Sequence, residues 1–186
     1  MNNLKRIQKL KKILKKEWPL IVEKYNNHIS ENFELLFLKD FKSFFVNKQT
    51  QEKTKIVSPI FNAILCKHLK KFGFLENEIN GSDYLFENLD LEGKLTMTDN
   101  NTWTGNGYKK TNWHLLKKIV INNDGKIDKS ACYLFPLDDS TSSWSVPKNS
   151  NFSNLKINTE DLEKLFIVYG DVDLSKKRKY IKPILY

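Results

Sequence analysis

The sequence predicts an α/β fold in which helices come first and a mixed sheet with a late helix follows. Three observations point there. Apolar residues recur at helical spacing up to Gly73, the period shortens to two from about residue 82, and turn residues punctuate the second half.

Residues 3–27 place Leu4, Ile7, Leu10, Ile13 and Leu14 on one helical face, with Lys5, Arg6, Lys9, Lys12, Lys15 and Lys16 opposite. Such a basic amphipathic helix can dock on DNA, on an anionic membrane or on a partner, or simply pack its apolar stripe on the body. Pro19 predicts a kink or the start of a second helix. Residues 31–46 read as a further helix burying Phe33, Leu36, Phe37, Phe41, Phe44 and Phe45. The polar stretch 47–56 reads as a loop. Ser58-Pro59 then resembles a helix start, with serine as cap and proline in the first turn, and Gly73 a stop.

Strands are expected at 82–86, 89–97, 116–121 and 130–137, with a turn at Asn122-Asn123-Asp124-Gly125. Residues 160–169 read as a helix, opened by Thr159 with acids in the first turn and closed by Gly170. The division that follows is a helical N-terminal extension over 1–57, packed on a core over 58–186 that ends in a basic tail at Lys176-Lys177-Arg178-Lys179.

The chain of 186 residues carries a formal net charge of +9. Positive surface of that size concentrates phosphates and favours a polyanionic partner over a small-molecule substrate. Cys66 and Cys132 are far apart and lack metal-ligand spacing, and His28, His68 and His114 are isolated, so a zinc site and a disulfide are not expected. No apolar run approaches the roughly 20 residues that span a bilayer, nor does one of signal-peptide length follow the basic start. No membrane partner is expected, and the expected compartment is cytoplasmic.

The chemistry concentrates in Ser82-Asp83 and in Leu89-Asp90-Leu91-Glu92-Gly93-Lys94-Leu95-Thr96. As a strand, 89–97 puts Leu89, Leu91, Leu95 and Met97 on a core face, and Asp90, Glu92, Lys94 and Thr96 on the other. Asp83, on the preceding strand of a short hairpin, can come alongside. Two carboxylates about 4 Å apart repel by about 4 kcal/mol at an effective dielectric near 20. A proton or a cation between them relieves this, and an all-oxygen donor set suits Mg²⁺. A lysine beside such a site makes sense when further negative charge arrives, such as a phosphate. The alternative is a solvated edge strand in which Lys94 pairs with Asp90 or Glu92.

This order of helix, strand with Asp83, and strand with Glu92-Gly93-Lys94 resembles the PD-(D/E)xK nucleases. Ser82 stands where proline is usual before the first acid, and Gly93 where an apolar residue is usual. The resemblance implies a restriction-endonuclease-like mixed sheet flanked by helices. It implies Asp83, Glu92 and Lys94 as catalytic residues, and Asp83, Glu92 and the Gly93 backbone carbonyl as Mg²⁺ ligands. Lys94 would position or activate the attacking water. Asp90 is left as a second-shell group, a second metal ligand or a plain surface acid.

Thr102-Trp103-Thr104-Gly105-Asn106, Thr111-Asn112-Trp113-His114-Leu115-Leu116, Trp144-Ser145-Val146-Pro147 and Leu165-Phe166-Ile167-Val168-Tyr169-Gly170 extend the resemblance to type II restriction endonucleases. Size and the helical start are most similar to the small catalytic subunit of a heterodimeric type IIS enzyme. In that arrangement a large subunit recognises the DNA and nicks one strand while the small one cuts the other. Double-stranded DNA and a large recognition subunit are then the implied partners. Within 98–114, Asn106, Lys109, Lys110, Thr111 and His114 are the DNA-facing candidates, unless this segment is a polar connection packed under Trp103 and Trp113. The competing readings are a self-sufficient homodimeric restriction enzyme and a non-enzymatic nucleic-acid-binding module.

Overall fold

The computed structural model describes residues 2–32, 45–46, 50–77, 82–97, 102–106, 112–138, 140–141, 143–145, 152–157 and 160–170. Among the described residues two long helices are present, α1 (Asn3–Asn32) and α2 (Thr50–Leu69), the second continuing into a 3-10 turn at Lys70–Phe72. Among the described residues nine strands follow: β1 (Phe74–Glu76), β2 (Tyr84–Phe86), β3 (Leu89–Thr96), β4 (Thr102–Asn106), β5 (Asn112–Ile121), β6 (Ile127–Leu137), β7 (Trp144–Ser145), β8 (Phe152–Lys156) and β9 (Phe166–Tyr169).

The fold is α/β. A six-stranded mixed sheet has the order β1-β2-β3-β5-β6-β9, and a smaller sheet the order β4-β8-β7. Among the described residues only β3 and β5 run parallel in the large sheet, and β4 lies on the crossover between them. Helices cover one face of the large sheet, where Phe61, Leu65, Leu91, Leu115 and Leu134 share a core with Ile7, Leu10, Leu14 and Trp18 of α1. The small sheet covers the other, where Trp103 and Leu155 pack with Leu116, Tyr133 and Phe135. Covering on both faces explains why β6 carries the buried run Ala131–Phe135 instead of clean alternation.

Helix α1 runs unbroken through Pro19, so no second helix starts there. An interior proline costs about 3 kcal/mol. Trp18, Ile21 and Tyr25 bury fully around it, at roughly 1.5–3 kcal/mol each, which outweighs the lost bond. Trp18 Nε1 also donates to Ser130 Oγ at 3.1 Å.

Helix α2 begins at Thr50, so the expected loop over 47–56 is helical from 50 onward and Ser58 is no cap. Its first turns are mostly solvent-facing and therefore polar, which in sequence resembles a loop. The buried set Val57, Phe61, Leu65 and Leu69 fixes the helix by its four-residue spacing. The expected boundary between 57 and 58 thus falls inside a helix. The expected helix over 31–46 lies mostly outside the described residues. Gly73 ends the helical segment as expected, with φ 82°.

The expected helix over 160–169 is a correction. Leu162–Lys164 makes one 3-10 turn and Phe166–Tyr169 forms β9 on the edge of the large sheet, Tyr133 opposite Ile167. The acids that resembled a first helical turn serve tertiary structure. Asp161 accepts from the Ser143 N–H at 2.8 Å and from its hydroxyl at 2.6 Å. A β-branched and aromatic run with a free sheet edge beside it forms strand. The turn at 122–125 is as expected, with the Asn122 side chain accepting from Asp124 N and Lys126 N at 3.0 Å each. Both cysteines are free thiols. Among the described residues no helix is long and apolar enough to cross a membrane.

Candidate active site

Strand β3 presents the face split read from its alternation. Leu89 and Leu91 are buried toward the helices, with Leu95 and Met97 packed on that same core. Glu92 lies on the opposite face, yet it is only 4% exposed, because β3 is an interior strand under the second sheet. Its register partner on β5 is His114, which is wholly buried. Lys94 Nζ donates to Glu92 Oε1 at 2.5 Å. The pairing across two residues therefore exists, but not on a solvated edge.

Asp83 sits in a bend one residue before β2 rather than within it. The β2–β3 ladder ends at Tyr84 opposite Leu91. Past that end no β2 backbone carbonyl remains for Gly93, and the Asp83 carboxylate takes its place. The Gly93 N–H donates to Asp83 Oδ2 at 2.7 Å. In a strand the N–H and C=O of one residue point the same way. The Gly93 carbonyl is therefore aimed to the side where Asp83 stands. One acid side chain is brought to the middle residue of Glu92-Gly93-Lys94.

A short network holds that bend. Ser82 Oγ donates to Asp90 Oδ1 at 3.1 Å, Asn77 Nδ2 donates to the same oxygen at 3.2 Å and to Ser82 Oγ at 2.8 Å, and Asn77 N–H donates to the Asp83 carbonyl at 3.1 Å. Of the roles left open for Asp90, this contact set supports one of organisation: it ties β3 to the segment that carries Asp83. Ser82 supplies an oxygen for this where a proline would not.

Gly93 has a steric reason. A Cβ there would meet Tyr84 Cε2 at 2.5 Å and the Tyr84 hydroxyl at 2.9 Å. The ring of Tyr84 lies against the Gly93 backbone on the helix side of the sheet. Its hydroxyl donates to Asn62 Oδ1 of α2 at 2.9 Å. Lys117 of β5 donates to Asn62 Oδ1 at 2.6 Å and also to the Tyr84 hydroxyl. Burial pushes the Lys117 ammonium down to about 8, against the opposing pull of Asp83, Cys66 and Cys132. Burial pushes the Tyr84 phenol well up, and the Cys66 thiol up to about 11, Glu76 and Asp83 adding to the latter.

Sequence reasoning missed Asn62, Asn77, Tyr84 and Lys117. Lys117 had a signal: it alternates with Leu115 and Ile119 and so faces the core. The DNA-facing candidates fare differently. His114 is wholly buried, opposite Glu92 in the β3–β5 register. Asn106 closes β4 opposite Phe152, and Lys109, Lys110 and Thr111 lie outside the described residues.

Among the described residues no three His, Cys, Asp or Glu side chains cluster as a ready metal cage. Asp83, Glu92 and the Gly93 carbonyl are the oxygen donors on and beside this tripeptide, and oxygen is the donor type Mg²⁺ takes, with one or two carboxylates and several waters. No protein-family model matches the sequence, and no curated protein matches it.

Proposed function

We propose that this chain hydrolyses DNA phosphodiester bonds with Mg²⁺, as a PD-(D/E)xK nuclease with a restriction-endonuclease-like core. The observation that carries the reading is the bond between Asp83 and the Gly93 amide, which brings the first acid to the Glu92-Gly93-Lys94 tripeptide from a neighbouring element. Asp83, Glu92 and the Gly93 carbonyl would hold the ion. Bound there, Mg²⁺ supplies a Lewis acid for the scissile phosphate and an acidified water. Lys94, already at Glu92, orients that water and offsets charge growing on the phosphoryl oxygens.

The finer reading is a small subunit that cuts one strand while a large partner recognises the site. The net charge of +9 and the absence of a recognisable DNA-reading module favour it. The test is nicking of supercoiled plasmid in Mg²⁺ or Mn²⁺, with the chain alone and with its genomic neighbour's product. Lys94→Ala is expected to abolish cleavage while the fold stays intact. Strand cutting that survives Lys94→Ala removes the catalytic assignment. Specific cleavage by the chain alone favours the homodimeric reading. Metal-insensitive DNA binding without cutting under every condition favours a binding module.

A further inference from the structure

We propose that Lys117 is a positioning residue for the Asp83–Gly93 site, acting through Tyr84. A buried ammonium is costly unless its surroundings compensate it. Lys117 is 1% exposed, and its described hydrogen-bond partners are the Asn62 amide oxygen and the Tyr84 hydroxyl, both uncharged. A methionine would fill the same space in this apolar core without that cost. What the ammonium does is hold one ring in one place. Tyr84 is gripped at its hydroxyl by Lys117 and Asn62, and its ring packs on Phe74 at 5.0 Å between centroids. So fixed, the ring lies against Gly93 with no room for a Cβ. The Gly93 amide is in turn the group that Asp83 grips. The chain of contact runs from Lys117 of β5 through Tyr84 of β2 and Gly93 of β3 to Asp83, across three strands. It sets the one backbone unit whose carbonyl the proposed metal site uses.

Two readouts test this, and the second rests on the metal-site reading above. The first needs no metal. In Lys117→Met, the Gly93 amide of the full chain exchanges with solvent at least tenfold faster by NMR, while Leu91 and Leu134 amides keep their protection. Unchanged Gly93 exchange overturns the proposal. The second is Mg²⁺ titration followed at the Gly93 amide resonance. Removing a nearby positive charge by itself tightens binding of a divalent cation, so weaker binding reports misplaced ligands and not lost charge. At least fivefold weaker Mg²⁺ binding is expected, and equal or tighter binding overturns the proposal. Wild-type protein that binds no Mg²⁺ would sink the metal site, while the exchange measurement would still decide the role of Lys117. Should Lys117→Met fail to fold, Tyr84→Phe keeps the ring and removes its grip. It is expected to accelerate Gly93 exchange about threefold, and unchanged exchange there overturns the proposal equally.

Discussion

Gly93→Ala is the sharpest perturbation of the site, because the structure supplies its magnitude. The new methyl carbon would stand 2.5 Å from Tyr84 Cε2 and 3.0 Å from Cζ. Carbon pairs settle at about 3.5–4.0 Å, so the ring must retreat by roughly 1 Å. It has little freedom to do so, with Phe74 on one flank and Lys117 and Asn62 at its hydroxyl. Overpacking of this kind costs about 1–3 kcal/mol. For a domain of this size that lowers Tm by about 2–12 °C, at roughly 2–4 °C per kcal/mol. Thermal unfolding followed by circular dichroism measures it. Tyr84→Ala removes the obstacle, so Gly93→Ala in that background is expected to add almost nothing, and the two substitutions couple. A Gly93→Ala protein with an unchanged Tm, or costs that simply add, would show that the ring does not press on this glycine. Cleavage in Gly93→Ala is expected to fall about a hundredfold, since a 1 Å displacement at a reacting centre has that effect.

The other predictions concern the helical layer. Glu17 is held below the ordinary 4.5 by its hydrogen bond with buried His68, against the opposing push of burial, with Lys71 adding to the lowering. Its folded-state value is depressed, so its stabilisation is complete above 4.5 and is lost as pH falls through the lower value. Wild-type Tm is therefore expected to fall more steeply below pH 4.5 than that of Glu17→Gln, and parallel profiles would refute the assignment. Lys5, Lys12 and Lys16 are exposed on α1. Replacing all three by Gln is expected to leave Tm unchanged and to reduce the salt slope of DNA binding by about 2.7 units if each meets a phosphate. An identical slope would place the DNA elsewhere.

The candidate site was more legible in the sequence than the sheet around it. Alternation in 89–97 assigned each β3 side chain to its observed face, because a strand's period of two survives any tertiary context. It did not reveal that Glu92's face would be covered, since β4 and β8 pair between distant segments and such pairing leaves no local mark. Asp83 was placed beside Glu92-Gly93-Lys94, but the means was invisible: a carboxylate standing in for a missing strand residue. The failures share a cause. Residues 50–56 resembled a loop because a surface-facing helix is polar, and 160–169 resembled a helix because Asp161 and Glu160 mimic a favourable first turn. In each, tertiary context outvoted local composition. Lys117 drew no reading from the sequence, although its neighbours Leu115 and Ile119 already set its face.

Helix α1 also imposes an order of events on folding. Its side chains reach the far hairpin of the sheet: Tyr25 donates to the Gly125 carbonyl, and Asn26 both donates to the Ile127 carbonyl and accepts from its N–H, across 100 and 101 positions of sequence. During synthesis the part of its apolar stripe that α2 does not cover therefore stays bare until β6 has been made. Contacts this distant in sequence close slowly, and uncovered stripes invite association. A basic rim along that stripe keeps nascent chains apart by mutual repulsion while the helix waits for its seat.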